Sequence, residues 1–415
     1  MDFKINFSEV FHAKGGFDVV IANPPYINTI QMKDNAIFYR TYFTTAYGSY
    51  DIYVLFFEKS IQILRTKGIL TFITSNKFFI ADYAKKIRSY IVNNSVVITL
   101  MDLADCKRVF EALVSPAITI LCKQKADNYD LKLAILKDDD VFNIDNIDFE
   151  RINIRNLFAD IGSAFNIYIG DSNRDIFQKF SDSTEKLSNL ADVRTGVMGF
   201  EYWNMAPYII DGEKKDGFIR IIANSHIEKY TFLFGKKINL YKKSYRNPYI
   251  DINHAPLNDS TKDFFLNEKI IVRGVAKKIT AQLDLDGYGL LVAVHGITKI
   301  NKQIDKRYIL ALLNSFLFNW LHLTTFYTAR IPQGSLKYPI SFLKNLPIKK
   351  ISLKGQKPFI DMIDKILAIT KDDDYLDNSA KQAQAREYEK QIDQKVYDLY
   401  GLTEEEIRIV EGETK

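Results

Sequence analysis

The sequence predicts an α/β fold for the first third of the chain, a mainly β (α+β) region after it, and a helical C-terminal segment. Three observations carry this. Short apolar, β-branched runs alternate with helix-spaced segments up to about residue 123. From about residue 185 the runs shorten and are broken by glycines, as in VRTGVMGF, KIIVRGV and GYGLLVAVHGITKI. Residues 379–400 then read as one long polar helix stopped at Gly401.

FDVVIA (17–22) has the composition of a strand buried in a parallel sheet. It runs into Asn23-Pro24-Pro25-Tyr26, where two prolines remove two backbone donors and end the strand. Residues 50–66 carry apolar side chains at helical spacing, with Gly68 placed to stop that helix. GILTFIT (68–74) is a second buried strand. Residues 79–92 form a helix with Ala84, Ile87 and Ile91 on one face. VVITLMDLA (96–104) and PAITILCK (116–123) are further strands, flanking a loop that holds Phe110. The alternation implies a layered α/β domain with a largely parallel sheet. In the later region an apolar helix is expected at about 307–323. Thr403-Glu404-Glu405-Glu406 has the capping-box pattern that starts a short final helix.

A chain of 415 residues suggests two or three domains. No apolar run approaches a membrane span, and MDFKINFSEV lacks the layout of a signal peptide. Two cysteines, Cys106 and Cys122, argue against a disulfide framework and fit a reducing cytoplasm. Five scattered histidines show no metal-ligand spacing, so no metal site is expected. The net charge of +5 hides an asymmetry. Residues 1–160 sum to zero, residues 161–360 to +12 and residues 361–415 to −7. A basic middle suggests a polyanion partner, since each cation that meets a phosphate releases condensed counterions; a merely solvated basic surface is the plainer alternative.

Asn23-Pro24-Pro25-Tyr26 carries the chemistry. In open α/β sheets, ligands bind at the carboxyl ends of strands, and this tetrapeptide sits at such an end. The amino group of an adenine is a poor nucleophile, because its lone pair is delocalised into the ring. Two acceptors on its hydrogens favour a pyramidal nitrogen with a localised pair. The Asn23 side-chain oxygen and the Pro24 carbonyl can be those acceptors, with Pro25 fixing the carbonyl's direction. Tyr26 offers a face for base stacking. A base in a duplex would have to flip out to reach it. The alternative is a strand-breaking Pro-Pro with Tyr26 in the core.

GFDVVIANPPYI resembles motif IV of the gamma-class, adenine-specific amino-methyltransferases. YVLFFEKSIQILRTKGILTFITSNKF and LADCKRVFEALVSPAITIL are similar to the segments that follow it. SNLADVRTGVMG, KIIVRGVAKKITAQLD, YTARIPQGSLKYPISFLKNLPI and KQIDQKVYDLYGLTEEEIRIVE are similar to the recognition domain and tail of type IIG restriction–modification enzymes and of Taq-type methyltransferases. The resemblance covers nearly the whole chain. It implies part of a Rossmann-like methyltransferase sheet over residues 1–155, a DNA target-recognition domain over 156–355 and a helical segment over 356–415. It also implies S-adenosylmethionine as methyl donor, and Phe110 as a second ring clamping the flipped adenine. The family places its cofactor motifs before Asn-Pro-Pro-Tyr, whereas only 22 residues precede Asn23 here, and Gly15-Gly16 reads as a plain loop. The expectation is therefore an incomplete cofactor site, a sheet with an exposed edge, and an upstream polypeptide as a further partner.

Basic clusters interleaved with aromatics recur in the middle region. KKINLYKKSYR (236–246) contributes Lys242, Lys243 and Arg246, and KIIVRGVAKK (269–278) contributes Arg273, Lys277 and Lys278 near an expected hairpin. Arg330, Gln333 and Lys337 follow the apolar helix. Arginine and glutamine pair bidentately with guanine and adenine, while lysines mostly hold phosphate. With the resemblance, double-stranded DNA is the expected partner. Three activities stay open: site-specific DNA adenine methylation, a non-catalytic DNA-recognition half, and, ranked last, methylation of a glutamine amide, which poses the same nucleophile problem.

Overall fold

The apolar runs of the first third assemble into one six-stranded sheet. β1 (Phe17–Ala22), β2 (Leu64–Ser75), β3 (Val96–Asp105), β4 (Pro116–Cys122), β5 (Asp130–Lys137) and β6 (Glu150–Asn153) lie in the order β1-β2-β4-β3-β5-β6. The computed structural model describes residues 3–106, 115–138, 140, 146–157, 164–167, 171–181, 184–325 and 336–412. It divides the chain into two units, Met1–Gly170 and Asp171–Lys415.

β1 and β2 are parallel, as are β3 and β5. β4 is antiparallel to both of its neighbours, and β6 to β5. The sheet is therefore mixed, not largely parallel as the alternation of strands and helices predicts. Connection length explains it. A parallel crossover needs about a dozen residues or more, and residues 106–115 fall short, so β4 returns antiparallel beside β3.

Helices Tyr53–Ile63 and Lys85–Asn94 pack on one face. Tyr53, Val54, Phe57, Ile61, Ile87 and Ile91 meet Leu70, Phe72, Val97 and Leu100 in a buried core. Burying each such side chain contributes roughly 1.5–3 kcal/mol. The first helix ends at Ile63, and Leu64 is already extended, so Gly68 does not stop it. Gly68 lies inside β2, next to a register shift and beside Lys67, whose φ is 64°. A Cβ on Gly68 would stand 2.9 Å from the carbonyl oxygens of Phe17 and Arg65, so the residue is there for close backbone approach.

The opposite face is barer. Val19 and Ile21 of β1 are 59% and 76% exposed. They align with Ile69 and Thr71 of β2, and Ile73 and Ile118 continue the same apolar face, only half-buried. β1 is also the edge of the sheet among the described residues.

The second unit holds two four-stranded sheets. In one, Phe218–Ile222 lies between Gly289–Leu290 and Pro248–Asp251, with Ile209–Asp211 outermost. In the other, Lys269–Arg273 lies between Ala281–Asp284 and Val294–Thr298, with Asp192–Thr195 at the edge. The expected hairpin is present: Val272 pairs with Ala281 across the loop that carries Lys277 and Lys278. The apolar helix expected over 307–323 is two helices, Lys306–Asn314 and Phe316–Thr325. Ser315 breaks them, its hydroxyl donating to the Leu312 carbonyl at 2.7 Å. Asn314 on the first helix both accepts from the Ala281 N–H and donates to its carbonyl, tying the helix to the sheet. The tail follows the sequence closely. Helix Ser379–Tyr400 ends on Gly401 at φ 72°, and Thr403 and Glu406 form the capping box of Glu404–Glu411. Among the described residues no helix is long and apolar enough to cross a membrane.

One ion pair anchors the second sheet. Lys269 Nζ lies 2.7 Å from Asp284 Oδ2, and both side chains are fully buried. Lys269 also donates to the carbonyls of Phe265 and Asn267. Asp284 accepts from the backbone N–H groups of Asp286, Gly287 and Tyr288. Burial pulls the Lys269 ammonium below its ordinary range. Removing one partner strands the other charge, so Asp284→Ala is expected to cost about 3–5 kcal/mol, read by urea denaturation. A double change to a well-packed apolar pair would cost much less.

Asp393, on the tail helix, accepts from the Phe316 N–H at 2.8 Å, and burial pushes its carboxyl up to about 6. A raised acid favours the protonated native state, so this contribution to stability is lost as pH rises from the ordinary carboxylate range through about 6. Asp393→Asn keeps the acceptor and removes the charge. It should stabilise the protein on the order of 2 kcal/mol at neutral pH and much less under acid conditions, measured by thermal melting at both.

Candidate functional site

β1 leaves the sheet at Ala22 because Pro24 and Pro25 cannot donate to a ladder. The parallel pairing of β1 and β2 brings their carboxyl ends to the same end of the sheet. Asn23 and Pro25 are exposed and Pro24 is buried, so the loop is rooted at its first proline while Asn23 stays open to solvent. Tyr26 is 39% exposed.

Several contacts fix the loop's exit. The Ile52 N–H donates to the Ile27 carbonyl at 2.9 Å, and Asn28 and Asp51 form an isolated β-bridge. Asn28 then caps helix Thr29–Met32, its oxygen accepting from the Ile30 and Gln31 N–H groups at 3.0 and 3.1 Å. Reciprocally, the Asn28 N–H donates to the Gln31 side chain. The Tyr26 ring stands edge-on to the Tyr53 ring, centroids 6.2 Å apart. Tyr53 is fully buried, and its hydroxyl is 2.7 Å from that of Tyr83, which in turn donates to Asp51 at 3.2 Å. Burial raises the Tyr26, Tyr53 and Tyr83 phenols and the Asp51 carboxyl. At neutral pH the three tyrosines are therefore neutral rings and hydrogen-bonding groups, not bases. Asp51, Tyr53 and Tyr83 escape a reading of the sequence, since they sit 25–57 residues beyond Tyr26 and only the sheet brings them together.

Further supports surround the loop. The buried Glu58 carboxylate accepts from the N–H and hydroxyl groups of Thr44 and Thr45, pinning that loop to helix Tyr53–Ile63. At the end of β2, the Asn76 amide donates to both carboxylate oxygens of Asp102, at 3.1 and 3.2 Å. Gly15 is a left-handed helix cap, and a Cβ on Gly16 would lie 2.4 Å from the Ile63 carbonyl oxygen. Gly15 thus serves as a left-handed helix cap and Gly16 allows close backbone approach. Phe110 lies outside the described residues.

The basic candidates fall into two groups, both in the second unit. Strands Ile238–Leu240 and Lys243–Tyr245 form a hairpin on which Lys242, Lys243 and Arg246 are exposed. The Arg246 backbone is held by Asp211. In the second group Lys277 and Lys278 are exposed, Lys278 lying 5.0 Å over the Phe316 ring, and Arg273 is half-buried. The backbone of Lys337 pairs with Val275, which places the two segments side by side. Arg330 and Gln333 lie outside the described residues.

Comparison with known proteins agrees with this division. Residues 1–110 match the Eco57I restriction-modification methylase family, and residues 230–348 match the TaqI-like C-terminal specificity domain. The first match contains the Asn23–Tyr26 loop, and the second contains both basic groups. The type II methyltransferase M.BstVI of Geobacillus stearothermophilus is 38% identical over 117 residues, covering 28% of this chain and 20% of that protein. The type II restriction enzyme and methyltransferase RM.Eco57I of Escherichia coli is 33% identical over 118 residues, covering 27% and 12%. The matches thus span a fifth or less of these relatives. The type IIL restriction-modification enzyme MmeI, solved in complex with DNA, superposes with a TM-score of 0.59 at 11% identity, over 94% of this chain and 56% of that one. At that identity the likeness concerns the fold. Residues 1–110 are thus similar to an Eco57I-type methylase region and residues 230–348 to a TaqI-like C-terminal specificity domain, and the chain is related to the type II DNA methyltransferases of restriction–modification systems.

Proposed function

We propose that this chain takes part in site-specific methylation of the adenine amino group in double-stranded DNA, within a restriction–modification system. The observation that carries the proposal is the Asn23–Tyr26 loop, open to solvent at Asn23 and braced from below by Tyr53. The Asn23 oxygen and the Pro24 carbonyl accept the two amino hydrogens, which draws the nitrogen lone pair out of the ring. Tyr26 stacks on the flipped base, and Phe110 closes its other side. The geometry of Tyr26 is set by Tyr53, Tyr83 and Asp51, so the base meets a ring that is already in place. The methyl donor of such enzymes is S-adenosylmethionine; no cradle for it is assigned among the described residues, and Gly15-Gly16 does not fit one. The second unit supplies the duplex grip, through Lys242, Lys243, Arg246, Arg273, Lys277 and Lys278, with Arg330, Gln333 and Lys337 as further candidates for contact.

A second reading has its own support. The apolar face and open edge at Val19 and Ile21 suit a further polypeptide segment that pairs with β1. On that reading the chain is the target-recognition and target-base half of a larger assembly, inert alone.

One experiment separates them: tritiated methyl transfer from S-adenosylmethionine to unmethylated bacterial DNA, with duplex binding followed in parallel. Incorporation into adenine by the chain alone supports the enzyme. Salt-sensitive binding without incorporation supports the recognition half, and absence of binding overturns the DNA reading. In an active preparation or assembly, Asn23→Ala is expected to lower methyl transfer about 10²–10³-fold, as loss of a preorganised polar contact does, while duplex affinity changes little. Joint loss of binding and chemistry would make Asn23 structural. The double variant Lys242→Ala, Lys243→Ala should weaken binding alike across sequences and flatten the plot of log affinity against log salt by about 2.

A further inference from the structure

We infer that Trp203 is a base-stacking residue, presented to locally unstacked DNA by the lysine-tipped hairpin beside it. This rests on the duplex-binding reading above and adds to it a residue, a mode of contact and a place.

Trp203 sits near the end of helix Gly199–Asn204 with 60% of its surface exposed. The chain has two tryptophans, and the other, Trp320, is 8% exposed and packs on Phe177. An indole left in solvent is costly, because it is the largest apolar surface a side chain offers. It is also held in place. Trp203 meets the edges of Tyr202 and Tyr241 at 5.4 and 6.0 Å, and those two tyrosines stack on each other at 4.5 Å. The indole is therefore a rigid platform, with little rotamer freedom to lose on binding.

Tyr241 is the link to charge. Leu240 pairs with Lys243, so Tyr241 and Lys242 alone form the turn between the strands. Their φ angles are 51° and 62°. Two-residue hairpin turns of this hand favour Asn-Gly, and a tyrosine followed by a lysine is an unfavourable choice on backbone grounds. Strain of this kind persists where the surroundings hold it and concentrates at binding sites. Here the stack of Tyr241 on Tyr202 holds it, and the result projects Lys242 next to the indole's neighbour. Lys236, Lys237, Lys242 and Lys243 are all exposed, and none forms an ion pair among the described residues. The nearby carboxylate of Asp211 is already engaged by the Arg246 and Asn247 N–H groups.

An exposed aromatic face beside a hairpin that carries exposed lysines at its turn and its base matches one chemistry best: a nucleobase stacked on the ring with its flanking phosphates held by lysine. A duplex offers such a base where a step is opened by a wedge or by base flipping. An acidic protein segment would satisfy the lysines but would leave the indole without a planar partner.

The test uses the whole chain with Trp320→Phe, so that Trp203 is the sole tryptophan. Its fluorescence is titrated with bacterial DNA fragments and, separately, with heparin, which carries charge but no bases. Fluorescence anisotropy of labelled DNA reports binding in parallel. Expected are quenching and acrylamide protection of Trp203 by DNA but not by heparin. Trp203→Ala should bind DNA about 5- to 150-fold more weakly, the range of a lost stacking contact, and Trp203→Phe should recover most of the affinity. If Trp320→Phe fails to fold, the difference in emission between the parent chain and Trp203→Ala gives the same reading. DNA binding with Trp203 emission unchanged, equal quenching by heparin, or full affinity in Trp203→Ala would overturn the inference while leaving duplex binding intact. Absence of any DNA binding by the parent chain would overturn both together.

Discussion

The first unit depends on a strand that is forced to stop. β1 pairs with β2 up to Ala22, and two prolines then deny the ladder its donors. The chain must turn out at the carboxyl end of the sheet, and the hydrogen bond from Ile52 to Ile27 decides where it goes next. Everything chemically suggestive in this unit follows from those few residues. Asn23 is exposed because Pro24 is rooted. Tyr26 has a defined face because Tyr53 stands behind it, and Tyr53 is held by its hydroxyl contact with Tyr83, which in turn donates to Asp51. Preorganisation here is a matter of side chains whose freedom is removed during folding.

The second unit answers a different constraint. Short strands broken by glycines cannot build one long sheet, and two small sheets need something to hold them in register. A fully buried, fully bonded lysine and aspartate do so in one, while Asn314 on the first apolar helix and Asn319 on the second accept from the Ala281 and Ile279 N–H groups, docking both helices onto the start of that sheet's Ala281–Asp284 strand. Such polar ties fix geometry more than they add stability. The same ties hold the basic loops at set positions. The match to a specificity domain over residues 230–348 covers five of the eight strands of these sheets.

Much of this was legible in the sequence, and the gaps have physical causes. β1 was legible to the residue, because β-branched composition and the prolines bound it on one side. The tail was legible because Gly401 and the Thr403 capping box are local signals with local effects. Gly68 misled because a helix stop and a close backbone approach call for the same residue. Ser315 hid a break because its hydroxyl bonds back to Leu312 inside an apolar run that reads as continuous. The reversed β4 follows from counting the connecting residues rather than from strand composition. Asp51, Tyr53 and Tyr83 were out of reach, since nothing local marks a tyrosine as the brace of a distant loop. Trp203 was also silent: its exposure and the stack beneath it are tertiary facts. Phe110 remains an expectation from the resemblance, and Arg330 and Gln333 expectations from residue type and place in the sequence.

The bare face of β1 has a consequence for how this protein behaves in a tube. A sheet whose edge strand among the described residues shows Val19 and Ile21 to water offers a place where another apolar strand or helix can pair. Where such pairing occurs, the apparent melting temperature is a function of concentration and company rather than a constant of the chain. Dilution, a detergent, or a second polypeptide would each move it in a characteristic direction, and the stability of the first unit is in that sense a shared property.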